Sequence, residues 1–392
     1  MKCKRTHIPF GFLMHSFALL LKECKAPVLQ NKVELLYYLL SCSFKQETHP
    51  IYGGNCMNSL QRIKNVISGK PVDRTPNLDI FMIRAVHHLG IPLSKYYLDY
   101  RVLCEVNMAV LKDFELDVVQ AISDPYREAC DMGLEVEFPY DKMPMHRNLV
   151  IHEPEDLAKI KFPVQDFGSR MTDRLEGVRA MREQVGDEVA VMGWVEGAFA
   201  EAADLRGMTD IMKDLYMRPN WLKELLEKCA EVEIAFASAQ IDAGAHMIGL
   251  GDAASSLISP RMYREFALPY QQRIFEAVKA KDAIPRLHIC GKTSHLHKDM
   301  AQSGAEIIDI DWMNDMQKAT EDMPGLVICG NLDPVTVFLQ GTPEDVYQGV
   351  IANAKAGGSR WISAGGCEIP DETPIENLKA QSQALRDLGA RA

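Results

Sequence analysis

The feature that most constrains this chain is an alternation. Eight short, mostly apolar runs recur between Asn77 and Gly365, separated by segments with helical punctuation. They are NLDIFM (77–82), DVVQAI (117–122), VAVMGWV (189–195), MIGLGD (247–252), PRLHIC (285–290), IIDID (307–311), LVICGN (326–331) and RWISAG (360–365). Runs this short and this apolar suit parallel strands that are covered on both faces. Eight strand–helix units predict an α/β fold, a (β/α)8 barrel of TIM type. The rival is a doubly wound sheet, whose glycine-rich phosphate loop follows none of these runs.

The helical segments carry their own boundary signals. Thr342-Pro343-Glu344-Asp345 reads as an N-cap threonine, a proline at the first helical position and an acid two residues on. Ser259-Pro260 opens another helix, and Trp221 to Ala243 reads as one long amphipathic helix. One gap breaks the rhythm: 66 residues separate the second and third runs. It holds LEVEFPY and then NLVIHEPEDLAKI, which predict an inserted hairpin followed by a helix. Insertions of this size commonly help to cover an active site.

The first 56 residues differ from the rest and hold four of the ten cysteines. They begin with a basic, then apolar stretch that imitates a signal peptide but lacks a small-residue cleavage site. From Met57 the helical pattern starts, with Leu60, Ile63, Val66 and Ile67 on one face and Gly69 as a stop. The expectation is that 1–56 is an N-terminal extension outside the functional protein and that 57–392 is the barrel domain. Mapping the N-terminus of natively expressed protein tests this.

Composition narrows the function classes. The formal charge of -11, without a long basic run, speaks against nucleic-acid partners. No apolar run reaches the length that spans a bilayer, so no membrane association is expected. Scattered cysteines without framework spacing suggest reduced thiols and a cytoplasmic location.

In a barrel, chemistry gathers at the C-terminal ends of the strands. Polar residues crowd there: Asp124, Glu196, Glu201, Asp252, His288, Cys290, Asp309, Asp311, Asn331 and Cys367. His288 and Cys290 share one side of their strand. With Cys367 they form a candidate zinc site, because a catalytic zinc keeps three nitrogen or sulfur ligands and one open position. The plainer reading makes His288 a hydrogen-bonded core histidine and both cysteines small apolar fillers. In an ideal barrel, strands five and eight are not neighbours, so the site requires a distorted barrel or an inward-leaning loop.

Four segments, HICG (288–291), GNLDP (330–334), GTPEDV (341–346) and GGCEIPDETPIENLKA (365–380), resemble the uroporphyrinogen decarboxylase superfamily. The resemblance is closer to its zinc-dependent branch, the methylcobamide:coenzyme M and related corrinoid methyltransferases, and runs from about Met57 to the C-terminus. It implies a (β/α)8 barrel and zinc held by His288, Cys290 and Cys367. It further implies a methylcorrinoid as methyl donor, free or carried by a corrinoid protein, and a small thiol such as coenzyme M as acceptor. Glu196 or Glu201 would take the thiol proton or fill the fourth zinc position at rest. Asp252 and Asn331 would contact the corrinoid or orient a ligand, and a homodimer fits the family. The decarboxylase branch is marked by MRQAGR. The matching stretch, Phe81 to Gly90, keeps Arg84 but not the second arginine. Asp124 falls where that branch places its catalytic aspartate, so Arg84 and Asp124 are candidate substrate contacts. The alternatives are a decarboxylase of the porphyrin pathway, or a corrinoid-dependent demethylase acting on a methyl ether or amine. A non-catalytic corrinoid carrier would need D-x-H-x-x-G, which the chain lacks.

Overall fold

The strands follow the apolar runs. The computed structural model describes residues 57–389, so the expected 1–56 extension lies outside the described residues. The first regular strand is β1 (Val118–Gln120), followed by a small antiparallel hairpin of β2 (Val136–Glu137) and β3 (Met145–His146). Then come β4 (Ala190–Glu196), β5 (Met247–Gly251), β6 (Ile284–His288), β7 (Ile307–Asp309), β8 (Val327–Cys329) and β9 (Trp361–Ile362). These seven, without the hairpin, pair in the order β1-β4-β5-β6-β7-β8-β9, all parallel. Helices connect them, as parallel crossovers require.

The first expected run departs from the pattern. Among the described residues, its one ladder contact is a parallel bridge between Asn77 and Ser363. The Asn77 carbonyl also accepts from the Asp117 amide at 2.9 Å, so this segment stands between the last strand and the first. Side chains occupy the backbone groups a strand would use. Arg286 donates to the Leu78 carbonyl, the Asn77 side chain accepts from the Asp79 amide, and Gln120 donates to the Asp79 carbonyl. The run therefore closes the curled sheet without regular strand geometry.

The inserted hairpin is present, but its second strand is Met145–His146, not NLVI. The amides of Val150 and Ile151 instead donate to the Leu205 carbonyl. PEDLAK forms a single 3-10 segment, Pro154–Lys159, and a long helix, Ser169–Val185, follows. The helix signals are met elsewhere. Thr342 and Asp345 cap Pro343–Gly357 reciprocally, Ser259 caps Pro260–Phe266, and the long helix spans Pro219–Asp242.

Two apolar layers result. Inside the curl, Leu78, Ile80, Val118, Met192, Trp194 and Ile307 belong to one buried cluster. The helix Ser59–Ile67 caps it with Leu60, Ile63 and Val66. Each such side chain contributes roughly 1.5–3 kcal/mol when fully buried. A second, larger cluster lies between the sheet and the outer helices. No helix among the described residues is long and apolar enough to cross a membrane. The inner layer is interrupted by a charged residue, Arg286, fully buried on β6.

Candidate metal centre

RLHICG sets the site by strand parity. Arg286 and His288 alternate onto the inner face of β6, and Cys290 continues that face just past the strand end. Gly291 then turns the chain away with φ +91°, a conformation that favours glycine. The His288 Nε2 lies 2.9 Å from the Cys290 Sγ, and the Cys290 Sγ lies 3.5 Å from the Cys367 Sγ. The three donor atoms all fall within 4.8 Å of one another. The sequence pattern left a bland alternative of core histidine and filler cysteines, and that reading does not require such convergence.

Cys367 reaches the site by an inward-leaning arm after β9. Gly365 pairs with Leu332, and the Gly366 amide donates to the Leu332 carbonyl at 2.8 Å. Asp79 accepts from the Gly365 amide at 2.8 Å and holds the root of the arm. Gly366 then presses on Trp312, which follows β7: a Cβ there would lie 2.3 Å from the Trp312 amide nitrogen. The arm thus crosses two strand ends, which brings a residue following the last strand to the fifth expected one.

The histidine is oriented from behind. Asp309 Oδ2 lies 2.8 Å from His288 Nδ1. Burial pushes the Asp309 carboxyl up, but Arg286 and His288 pull it down further, so it stays an anion. An anionic acceptor fixes the proton on Nδ1 and leaves Nε2 facing the sulfurs, the arrangement that metal-binding histidines use. The thiols divide their protons unequally. Cys367 falls to about 4, because it accepts from Cys290 and faces His288, against the effect of burial. Cys290 is raised, first by that same contact with Cys367 and then by burial. His288 is raised despite burial, by Cys290, Asp309 and Cys367.

These residues fit zinc. Two sulfurs bound tetrahedrally at about 2.3 Å would sit roughly 3.8 Å apart, and the two here are 3.5 Å apart. One imidazole and two thiols leave a fourth position for an exogenous ligand. Asp311, expected only as a polar residue at the barrel mouth, stands beside them. Its Oδ2 accepts from the Gly291 amide at 2.7 Å, while its buried Oδ1 has no hydrogen-bond partner among the described residues. Its carboxyl is raised, chiefly by burial and partly by Cys367.

Strand register extends the site sideways. Glu196, Gly251 and His288 are paired across β4, β5 and β6 in one layer. Two strand spacings put Glu196 about 10 Å from His288. The Trp194 indole lies between them: its ring centroid is 6.0 Å from that of His288, and its Nε1 donates to Glu196 Oε1 at 3.3 Å. The indole covers Gly249 and Gly251, where a Cβ would meet its ring at 2.3 and 2.9 Å. Arg127 also donates to Glu196 Oε1, at 2.8 Å. Burial still pushes the Glu196 carboxyl up to about 7.

The other sequence candidates lie outside the donor cluster. Glu201 is fully buried near Glu128, Asp204 and Glu196, neither carboxylate oxygen has a hydrogen bond, and its carboxyl is raised mainly by burial. Asp124 pairs with Arg170 at 2.5 Å; burial raises its carboxyl, and Arg170 and Arg127 lower it further. Arg84 donates to the Thr373 carbonyl, Asp252 accepts from the Ala200 amide and Gln271, and Asn331 donates to the carbonyls of Asp311 and Asn314. These contacts join neighbouring loops within the protein. Sequence reasoning missed Arg286, Asp79 and Trp194. Arg286 carried a signal, being a charge inside an apolar run.

Residues 58–388 match the family model described as Uroporphyrinogen decarboxylase (URO-D). The methylcobamide:CoM methyltransferase MtbA of Methanosarcina mazei is 34% identical over 59% of this chain and 68% of its own length. The uroporphyrinogen decarboxylase of Xanthomonas axonopodis is 29% identical over 84% of this chain and 99% of its own length. A solved methyltransferase from Methanosarcina mazei superposes with a TM-score of 0.76 at 24% identity, covering 84% of this chain and 98% of that one, which shows the shared barrel fold. The chain belongs to the uroporphyrinogen decarboxylase family.

Proposed function

We propose that this protein is a methyltransferase that moves a methyl group from a methylated corrinoid to a small thiol held at His288, Cys290 and Cys367. The observation that carries the reading is the convergence of one imidazole nitrogen and two thiol sulfurs at the mouth of the barrel. Relatives named methylcobamide:CoM methyltransferases support it. Zinc bound by these three residues would keep the substrate thiol deprotonated at neutral pH. A methylcorrinoid at the barrel mouth would supply the electrophilic methyl: the thiolate sulfur would bond to the methyl carbon, and the electron pair of the broken bond would stay with the corrinoid. Asp309 holds His288 in the ligating tautomer, and Asp79 holds the arm that carries Cys367. Asp311 offers the nearby orphaned oxygen that suits the fourth position at rest. Glu196 lies two strand spacings along the same layer, so the proton that the thiol gives up would reach it through intervening water. Coenzyme M is the acceptor the relatives' names suggest. The donor is free methylcobamide or a corrinoid protein, and the setting is the cytosol.

The decarboxylase reading fits the site less well. A macrocycle with many carboxylate arms needs free arginine clamps. Arg127 and Arg170 already pair with Glu196 and Asp124 and keep only buried nitrogens without a partner among the described residues, and Arg84 holds a backbone carbonyl. The discriminating assay mixes zinc-loaded protein, methylcobalamin and coenzyme M, and follows demethylation of the corrinoid by absorbance. Wild type should turn over. Cys367→Ala should lose at least ~30-fold, because a free thiol is only a few per cent ionised at pH 7. Turnover of a porphyrinogen without metal, and none of methylcobalamin, would refute the proposal.

A further inference from the structure

We infer that Arg286 is a positioning residue of the metal centre: its guanidinium clamps Asp309, and Asp309 thereby fixes the orientation of His288. The inference rests on the metal-centre reading and deepens it. Arg286 Nε donates to both Asp309 oxygens, at 2.9 and 3.1 Å. One terminal nitrogen donates to the Leu78 carbonyl at 3.1 Å and approaches the Cys329 Sγ at 3.7 Å. The other approaches the Met192 Sδ at 3.6 Å. The guanidinium is therefore held by groups from four places around the barrel, and the side chain is fully buried. Asp309 uses Oδ2 both for this contact and for His288 Nδ1, so a rotation of the carboxylate would break both.

Stability alone does not account for the pair. A buried ion pair is often matched or exceeded by apolar residues of the same volume, and several neighbours in this inner layer, Leu78, Met192 and Ile307 among them, are apolar. What the pair adds is a rigid anchor for an acceptor whose direction sets the imidazole. Lysine would keep the charge but lose the contacts of the terminal nitrogens with Leu78, Cys329 and Met192 that fix the direction of Nε, so it would hold the carboxylate less rigidly.

The test uses the full chain, stripped of metal and titrated with Zn2+ against a chromogenic chelator and with Co2+ by visible absorption. Folding is checked by circular dichroism. Arg286→Lys should bind zinc 10–100-fold more weakly, the usual effect of losing such a supporting contact, and should alter the Co2+ ligand-field bands. Asp309→Asn should show a similar loss. Arg286→Met combined with Asp309→Asn removes both charges, which favours a folded protein. That double variant should bind no more weakly than Asp309→Asn alone, because both residues act through one contact. Wild-type affinity and spectrum in Arg286→Lys, or losses that multiply in the double variant, would overturn the inference. A wild type that binds no metal would instead bring down the metal-centre reading itself.

Discussion

At the residue scale, the donor set was legible in the sequence because strand parity is a strict rule. His288 and Cys290 had to share a face, and glycines flanked both ends of the set. Arg286 has the same parity in the same six residues, yet its role depends on Asp309, a partner 23 positions away that only strand pairing brings near. The glycines make two separate predictions. Gly249→Ala places a Cβ 2.3 Å from the buried Trp194 ring, which would have to shift against its hydrogen bond to Glu196. It should destabilise the protein by about 1–3 kcal/mol, read as a lower denaturant midpoint at unchanged slope. Gly366→Ala meets backbone at Trp312 and should displace the Cys367 arm. Zinc affinity should then fall about tenfold or more in a folded protein, and unchanged affinity would mean the arm is not held there.

At the element scale, the alternation fixed seven strands and their order but not the first run. A period argument sees apolar side chains. It does not see that Arg286, Asn77 and Gln120 will take the backbone groups of residues 77–79. Likewise NLVI reads as a strand, but its amides find the Leu205 carbonyl instead of the hairpin. The insertion is also tied to the Cys367 arm. His87 Nδ1 lies 2.7 Å from Asp371 and its Nε2 3.1 Å from Asp141, so one imidazole links the segment after Cys367 to the tip of the hairpin. Burial lowers the His87 pKa, but the two aspartates raise it above 6.5 overall. The charged link therefore contributes fully below the ordinary histidine pKa and is lost as pH rises through the raised folded value. Hydrogen exchange across 138–146 and 368–373, corrected for intrinsic rates, should quicken over that rise. His87→Gln should remove the pH dependence, and high salt should weaken it in wild type.

At the scale of the whole molecule, metal binding and stability should be linked. Zinc that binds only the folded chain stabilises it by RT ln(1 + [Zn]/Kd), about 4 kcal/mol at a thousand times Kd. A chelator should therefore lower the unfolding temperature. The same linkage governs pH. Cys290 and His288 are raised and must give up protons to bind metal, whereas Cys367 is lowered by Cys290 and His288. Affinity should fall as pH falls, with up to about two protons released per zinc near neutrality. Titration in buffers of different ionisation enthalpy reads that number directly, and pH-independent binding would contradict this division of protons. The family architecture was legible from the recurring motifs, because they sit at strand ends where chemistry is concentrated. The route by which the arm crosses two strands was not, since it depends on contacts among Asp79, Leu332 and Trp312. The central claim is that His288, Cys290 and Cys367 form one metal-binding unit. Elemental analysis of purified protein after zinc supplementation tests it most directly. The account predicts about one zinc per chain in the wild type and little in folded Cys367→Ala. Equal zinc in both, or none in a folded wild type, would contradict it.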